Sequence, residues 1–319
     1  MDDSTPHLSI VIPLFNAAAT LPALHQEISA LQVNGGHELI IVNDGSLDET
    51  EAVALKLTRE SQLPMTFLSL SRNFGEHNAV LAGLRAVSGR YVITMDDDLQ
   101  NPPSEVLKLL AVAEAEKRDV VYAIYDRKEH AWWRNAGSRL TNLIADFVVE
   151  KPRKLYLSSF RCMSRFVADE VAKSRTPYPY IDGLIFQVTQ NAGTVRVRHV
   201  ERGQGSSGYN FRKLVRLWIS MLVNVSILPL RLMTFAGMIT SALGFLAVIE
   251  VVIERLLYKT PTVGWSSLMA AMLLLSGTQL LLLGVLGEYV GRIYLGISEK
   301  PQSVVRERFS SSRSDSAQS

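Results

Sequence analysis

The 319-residue chain carries 33 Lys and Arg against 31 Asp and Glu, a net charge of +2, with 47% hydrophobic and 20% charged residues. A net charge so small does not argue for nucleic acid, where a basic stripe supplies most of the affinity. The single cysteine, Cys162, excludes an intramolecular disulfide or a thiolate cluster within one chain, and reads as a small buried apolar residue.

The N-terminus, MDDSTPHLSIVIP, has no basic n-region and no long apolar stretch. It does not read as a secretory signal, so the soluble part is expected in the cytoplasm. LSIVIP (Leu8–Pro13) reads as a strand, and residues 20–31 as a helix with Leu21, Leu24, Ile28 and Leu31 at helical spacing. HELIIVND (His37–Asp44) is a strand, and residues 47–59 a helix with Ser46 as its N-cap. MTFLSL (Met65–Leu70) is a strand and residues 77–87 a helix. RYVITMD (Arg90–Asp96) is a strand, residues 103–116 a helix with Pro near its first turn, and DVVYAIY (Asp119–Tyr125) a strand. Strands alternating with helices specify an α/β domain with a mainly parallel sheet covered on both faces. Ligands of such sheets bind beyond the carboxyl ends of the strands. Residues 13–16, 44–46, 71–75 and 96–100 lie there. No G-x-G-x-x-G follows the first strand and no G-x-x-x-x-G-K-[ST] occurs, which removes the support for a dinucleotide or P-loop site.

The C-terminal third changes character. Leu214, Leu217, Trp218, Met221, Leu222 and Val225 recur at helical spacing, with Arg212, Lys213 and Arg216 opposite or at the start. This predicts an amphipathic interfacial helix over residues 211–227, suited to an anionic leaflet. Residues 232–249 and 260–287 contain no charge. They predict a two-helix transmembrane hairpin within residues 228–295, with spans at about 230–256 and 264–288. Glu250, Glu254 and Arg255 fall near the far interface. Basic residues flank the outer ends of the hairpin, which places both termini in the cytoplasm. Residues 1–210 are then the catalytic domain, and residues 296–319 a cytoplasmic tail whose polar FSSSRSDSAQS end reads as disordered.

The chemistry concentrates at Asp96, Asp97 and Asp98, directly after the apolar YVITM. Three carboxylates at a strand end repel one another unless solvated or bound to a cation. Hard oxygen ligands at this density suit Mg²⁺ or Mn²⁺, ions that commonly bridge to substrate phosphates. Alternation along an extended segment puts Asp96 and Asp98 on one side and Asp97 on the other. Asp44, in VNDGS, is placed to hydrogen-bond a base or ribose, or to close its own turn.

Taken together, IPLFN, VNDGS, SRNFG and MDDDLQNPP resemble glycosyltransferase family 2, whose fold is the GT-A nucleotide-diphospho-sugar transferase domain. The hairpin ending LLGEYVGRIY narrows the resemblance to the polyisoprenyl-phosphate glycosyltransferases, the group of the dolichyl-phosphate mannose synthases, bacterial prophage glucosyl carriers and undecaprenyl-phosphate aminoarabinose transferases. The resemblance covers about residues 7–308. It implies that Pro13, Phe15, Asn16, Asp44, Arg72 and Asp97 serve the nucleotide-sugar. It also implies that Asp96 and Asp98 hold the donor diphosphate and a metal, Mg²⁺ or Mn²⁺, and that Gln100 approaches a phosphate. Arg202 matches a basic position near the acceptor, and Arg127 and Arg134 are further candidates for the acceptor phosphate. The implied partners are a UDP- or GDP-sugar, undecaprenyl phosphate, the inner membrane, and further copies of the chain in a homo-oligomer such as a tetramer.

Three positions depart from the family pattern. Ala17 stands where relatives carry Glu, Gly208 where they carry Lys, and Ser159 where they carry an Asp that is the usual candidate for the catalytic base. A phosphate nucleophile offsets the last departure. A phosphate monoester has its second pKa near ~6 and is mostly ionised at neutral pH without a base. A transferase acting on a lipid hydroxyl would need one, with Asp97 or Asp182 as candidates. A noncatalytic nucleotide-sugar scaffold would not need the intact acidic cluster. A processive polysaccharide synthase is disfavoured, because no Q-x-x-R-W-type stretch occurs.

Overall fold

The structure is a computed structural model and describes residues 5–125, 155–176, 179–198, 228–258, 264–297 and 301–311. The chain forms two compact units, Met1–Gly208 with Pro301–Ser319, and Tyr209–Lys300.

The first unit is built on one eight-stranded sheet. Its strands are β1 (Leu8–Leu14), β2 (His37–Asn43), β3 (Met65–Leu70), β4 (Tyr91–Thr94), β5 (Val120–Tyr125), β6 (Arg161–Ser164), β7 (Ala192–Val197) and β8 (Val305–Ser310), in the spatial order β7-β5-β6-β4-β1-β2-β3-β8. β1 pairs parallel with β2 and β4, β2 with β3, and β5 with β7, while β6 and β8 run antiparallel to their neighbours. Almost every residue of β1 and β2 is buried, as a parallel strand covered on both faces requires.

Helices α1 (Leu21–Ser29), α2 (Thr50–Glu60), α3 (Glu76–Leu84) and α4 (Val106–Ala115) connect these strands, with a short 3₁₀ turn at Pro103–Glu105 before α4. α1 buries Leu21, Leu24 and Ile28, the spacing that predicted it. α2 begins at Thr50, not at residue 47, and Ser46 is not its cap. The Ser46 hydroxyl instead accepts the Asn16 N–H at 3.0 Å, and Asp48 accepts the Thr50 N–H at 3.1 Å. A contact to the neighbouring loop has won over a local cap. β4 also ends at Thr94, which leaves the carboxylates of residues 96–98 outside the ladder.

Helices α5 (Arg165–Ala172) and α6 (Ile181–Val188), with strands β6, β7 and β8, are elements that periodicity did not place. β8 includes Phe309 and Ser310 of the stretch expected to be disordered, and Phe309 stacks on Phe67 with ring centroids 6.4 Å apart. Gln302, just before β8, is buried. It accepts a hydrogen bond from Arg85 at 2.5 Å and donates to the Thr176 carbonyl at 2.6 Å.

The topology sets where a ligand can sit. β1–β2 pairing runs out to Leu14↔Asn43, but β1–β4 pairing stops at Val11↔Thr94. The two strands therefore part at their carboxyl ends, at the point where the strand order reverses, which is the binding crevice of open α/β sheets.

In the second unit, α7 (Leu228–Tyr258) has 31 residues and α8 (Trp265–Ile297) has 33. At 1.5 Å per residue each exceeds the roughly 30 Å hydrocarbon core. Among the described residues one stretch, Leu274–Gly291, is long and apolar enough to cross a bilayer, and the apolar stretch Met233–Leu246 in α7 is shorter. Phe235, Leu246, Leu268 and Leu280 on these helices are exposed. The interfacial helix expected over 211–227 lies outside the described residues.

Gly45 holds the carboxyl end of β2 against the next loop. Its φ is +64°, and a Cβ there would stand 2.5 Å from the Arg72 carbonyl carbon and the Asn73 nitrogen. Gly45→Ala is expected to destabilise the first unit by about 2 kcal/mol or more, from left-handed strain plus a clash with backbone that cannot swing aside. Chemical denaturation of the two proteins in one detergent measures the difference.

Candidate active site

The loops after β1, β2, β3 and β4 are joined to one another. After β1, the Asn16 backbone takes φ +54°. Its Oδ1 accepts the Leu47 N–H at 2.9 Å, and the Ala17 N–H donates to Thr50 at 2.8 Å. After β2, Asp44 is 3% exposed. Its carboxylate accepts the Phe74 and Gly75 N–H groups at 2.7 and 2.8 Å. The loop SRNFG is thus clamped by Asp44, and the exposed Arg72 lies over the Phe74 ring at 4.3 Å. Ala17, a departure from the family pattern, is buried in the core.

The acidic cluster follows β4, and each carboxylate takes a different neutral donor. Asp96 accepts the Ser159 hydroxyl at 2.6 Å, Asp97 accepts the Phe15 N–H at 3.1 Å, and Asp98 accepts the Gln100 N–H at 3.1 Å. The last bond closes a tight turn with Leu99 at φ +58°. Asp97 ties the end of β1 to the end of β4 across the crevice. Burial pushes its carboxyl up to about 6, the Phe15 N–H opposes that rise, and the Asp98 and Asp96 charges add to it. Glu76, at the start of α3, is raised by desolvation and then by the Asp96 carboxylate.

The structure thus brings together Phe15, Asn16, Asp44, Asp96, Asp97, Asp98, Gln100 and Ser159, with Pro13 at the end of β1 and Arg72 on the clamped loop. Arg127, Arg134, Arg202 and Gly208 lie outside the described residues. Among the described residues no group of three or more His, Cys, Asp or Glu side chains forms a closed metal cage. Asp96 and Asp98 supply hard carboxylate oxygens, the donor type that Mg²⁺ or Mn²⁺ takes together with phosphate and water.

Sequence reasoning missed what lies beneath Asp96. Arg161 is buried in an ion pair with Asp182, which also accepts the Tyr122 hydroxyl at 3.0 Å. Asp182 is therefore committed to a buried guanidinium and is not placed to serve as a base. His77 sits edge-on to Tyr180 at 5.6 Å, and burial together with the Arg161 charge lowers its pKa. The available signal was Arg161 itself, a charge inside an otherwise apolar SFRCM segment, which demands a buried partner.

Comparison with known proteins adds to this geometry. The family model described as Glycosyl transferase family 2 matches residues 9–171, and that of the GtrB C-terminal hairpin matches residues 228–293. An undecaprenyl-phosphate 4-deoxy-4-formamido-L-arabinose transferase of Serratia proteamaculans is 31% identical over 304 residues, 94% of this chain and 93% of the relative. The protein of the same name from Pseudomonas savastanoi pv. phaseolicola is 31% identical over 308 residues, 94% and 90% of the two chains. Glucosyl-3-phosphoglycerate synthase from Mycobacterium tuberculosis, solved with Mn²⁺, UDP and glucosyl-3-phosphoglycerate, superposes with a TM-score of 0.51 at 20% identity. That match covers 69% of this chain and 80% of the other, and shows the fold.

The electrostatics of Asp97 yield a test. Its folded pKa of about 6 lies above the ordinary carboxylate value of 3.8, so the folded state binds this proton more tightly than the unfolded one. The charged form thus costs stability above pH 6, and the cost fades as pH falls through 6 towards 4. Asn keeps an acceptor for the Phe15 N–H. With EDTA present, Asp97→Asn is expected to melt higher than wild type at pH 7.5, with the gap closing by pH 4. A gap independent of pH in thermal melts would show that Asp97 carries no such cost.

Proposed function

The chain belongs to glycosyl transferase family 2 and carries the GtrB-type C-terminal hairpin, and on that premise we propose that it transfers a sugar from a nucleotide-sugar to undecaprenyl phosphate. The observation that carries this reading is a match along nearly the whole chain to undecaprenyl-phosphate sugar transferases, with Asp96 and Asp98 at the crevice where a donor diphosphate would lie.

In the proposed reaction an acceptor phosphate oxygen attacks the anomeric carbon, the bond from that carbon to the donor diphosphate breaks, and a nucleoside diphosphate leaves with inversion. Pro13, Phe15 and Asn16 line the donor side. Asp44 and Arg72 keep the SRNFG loop in place beside the base. Asp96 and Asp98 would hold the divalent cation, Mg²⁺ or Mn²⁺, which when bound stabilises the charge on the departing diphosphate. Gln100 reaches towards phosphate, and Arg127, Arg134 and Arg202 are proposed for the acceptor headgroup.

Ser159 fits this nucleophile. It donates a hydrogen bond to Asp96, whereas a base must accept a proton. A phosphate already ionised at neutral pH requires no base. A lipid hydroxyl would require one, and the burial of Asp182 against Arg161 removes a candidate for it. The hairpin is proposed to cross the bacterial inner membrane with the catalytic domain on the cytoplasmic side, in a homo-oligomer. The lipid-linked sugar would serve envelope polysaccharide or lipid A modification.

A radiolabel transfer assay tests the reading. Purified protein receives undecaprenyl phosphate, Mg²⁺ or Mn²⁺, and UDP- and GDP-sugars in turn. Label is expected to enter the lipid extract with one donor and to vanish with Asp98→Ala. Ser159→Ala at saturating cation is expected to keep turnover within about tenfold of wild type. A loss of about 10²–10⁴-fold, the worth of general-base catalysis, would assign Ser159 to proton transfer instead.

A further inference from the structure

Resting on the cation site proposed above, we propose that Thr94, Arg161 and Asp182 form a positioning ladder that sets the orientation of Asp96 through Ser159. The register of β4 against β6 runs antiparallel from Tyr91↔Ser164 to Thr94↔Arg161. Continued two residues beyond the ladder, it places Asp96 opposite Ser159. Side chains two apart share a face, so Thr94 and Asp96 project on one side of β4, and Arg161 and Ser159 meet them from β6. The bonds follow these pairings. Arg161 Nε donates to the Thr94 hydroxyl at 3.2 Å, directly across. The Ser159 hydroxyl donates to Asp96 Oδ2 at 2.6 Å, also across. Thr94 then donates its own proton diagonally to the Ser159 carbonyl at 2.7 Å.

The far side of the ladder is closed. Arg161 pairs with Tyr122 across β6 and β5, and Asp182 of α6 bonds both the guanidinium and the Tyr122 hydroxyl. Tyr122, Thr94 and Arg161 are at most 3% exposed, and Asp182 is 7% exposed. A buried guanidinium with a fixed counter-charge cannot rotate away without leaving both charges unpaired. Its Nε therefore faces Thr94, and the Thr94 hydroxyl, its acceptor role taken, has its proton directed to Ser159. The Ser159 backbone is thereby pinned two residues outside the strand, with its hydroxyl aimed at Asp96. Thr94, Arg161 and Asp182 are buried side chains that work through other groups. They act by presenting Asp96 in one orientation, as outer partners of metal ligands do.

The test is the affinity of the full-length protein in detergent for Mn²⁺, followed by electron paramagnetic resonance with saturating UDP or GDP, whichever the protein binds. Thr94→Val is expected to weaken Mn²⁺ binding about 10–100-fold, the usual effect of losing such a partner, while Thr94→Ser, which keeps the hydroxyl, binds near wild type. Ser159→Ala is expected to weaken Mn²⁺ about 10-fold. It lies outside the strand, so it decides the matter if Thr94→Val fails to fold. Asp96→Asn is the control. If it loses Mn²⁺ while Thr94→Val and Ser159→Ala bind as wild type, even with lowered melting temperatures, the ladder is structural only and the proposal falls while the cation site stands. If Asp96→Asn also binds as wild type, the cation site fails and the ladder fails with it.

Discussion

Three adjacent carboxylates at the end of one strand repel one another, and the site is organised around containing that repulsion. Asp96, Asp97 and Asp98 cannot all turn the same way, so the chain gives each a different donor. These are a serine from beyond β6, a backbone N–H from the end of β1, and a backbone N–H from their own turn. Burial, more than the neighbouring charges, raises the pKa of Asp97, and the Asp98 and Asp96 carboxylates add to that rise. In the proposed reading, a divalent cation carrying the donor diphosphate would add its charge to this cluster.

Holding the carboxylates apart requires a rigid surround, which the parallel sheet supplies at little length. Asn16, Asp44 and Asp97 each use side-chain oxygens to take backbone N–H groups from a different loop. The loops after four strands are stitched by short polar residues, and the apolar strands below fix the spacing. Asp44 shows how such a residue can have two roles. It stands where a nucleotide contact was expected, yet its carboxylate clamps the SRNFG loop. Its contribution to donor binding in the proposed reading is then the shape of the pocket wall.

The first five strands and the four helices among them were legible because their periods are regular and their boundaries punctuated by Gly, Pro, Asn and Asp. The later elements were not. β6 is four residues long with a charge at its first position, and β8 reads as polar. Both owe their form to partners distant in sequence, which no local pattern records. The same limit applied to the site. The acidic cluster was visible because carboxylates following an apolar strand are conspicuous. The bond from Phe15 to Asp97, the clamp by Asp44, and the row from Tyr122 through Arg161 to Thr94 depend on strand register. Reading Ser46 as a helix cap and Asp182 as a candidate base went wrong for one cause. Each residue has a plausible local role that a nearby tertiary partner pre-empts.

β8 makes the first unit discontinuous in sequence. Residues 301–311 return after the helical hairpin and cover β3, whose MTFLSL is apolar and would otherwise be an outer edge. The strand that faces outward in its place is VRERFS, with Arg306, Glu307 and Arg308 along it, the kind of charged border that discourages pairing between molecules. A fragment cut before the hairpin would keep every proposed donor-side residue yet bare the unguarded edge. Its failure would appear as strand-to-strand association, not as loss of the crevice. A soluble form of the catalytic unit therefore calls for joining the region near residue 208 to residue 301, so that the closing strand stays with its sheet.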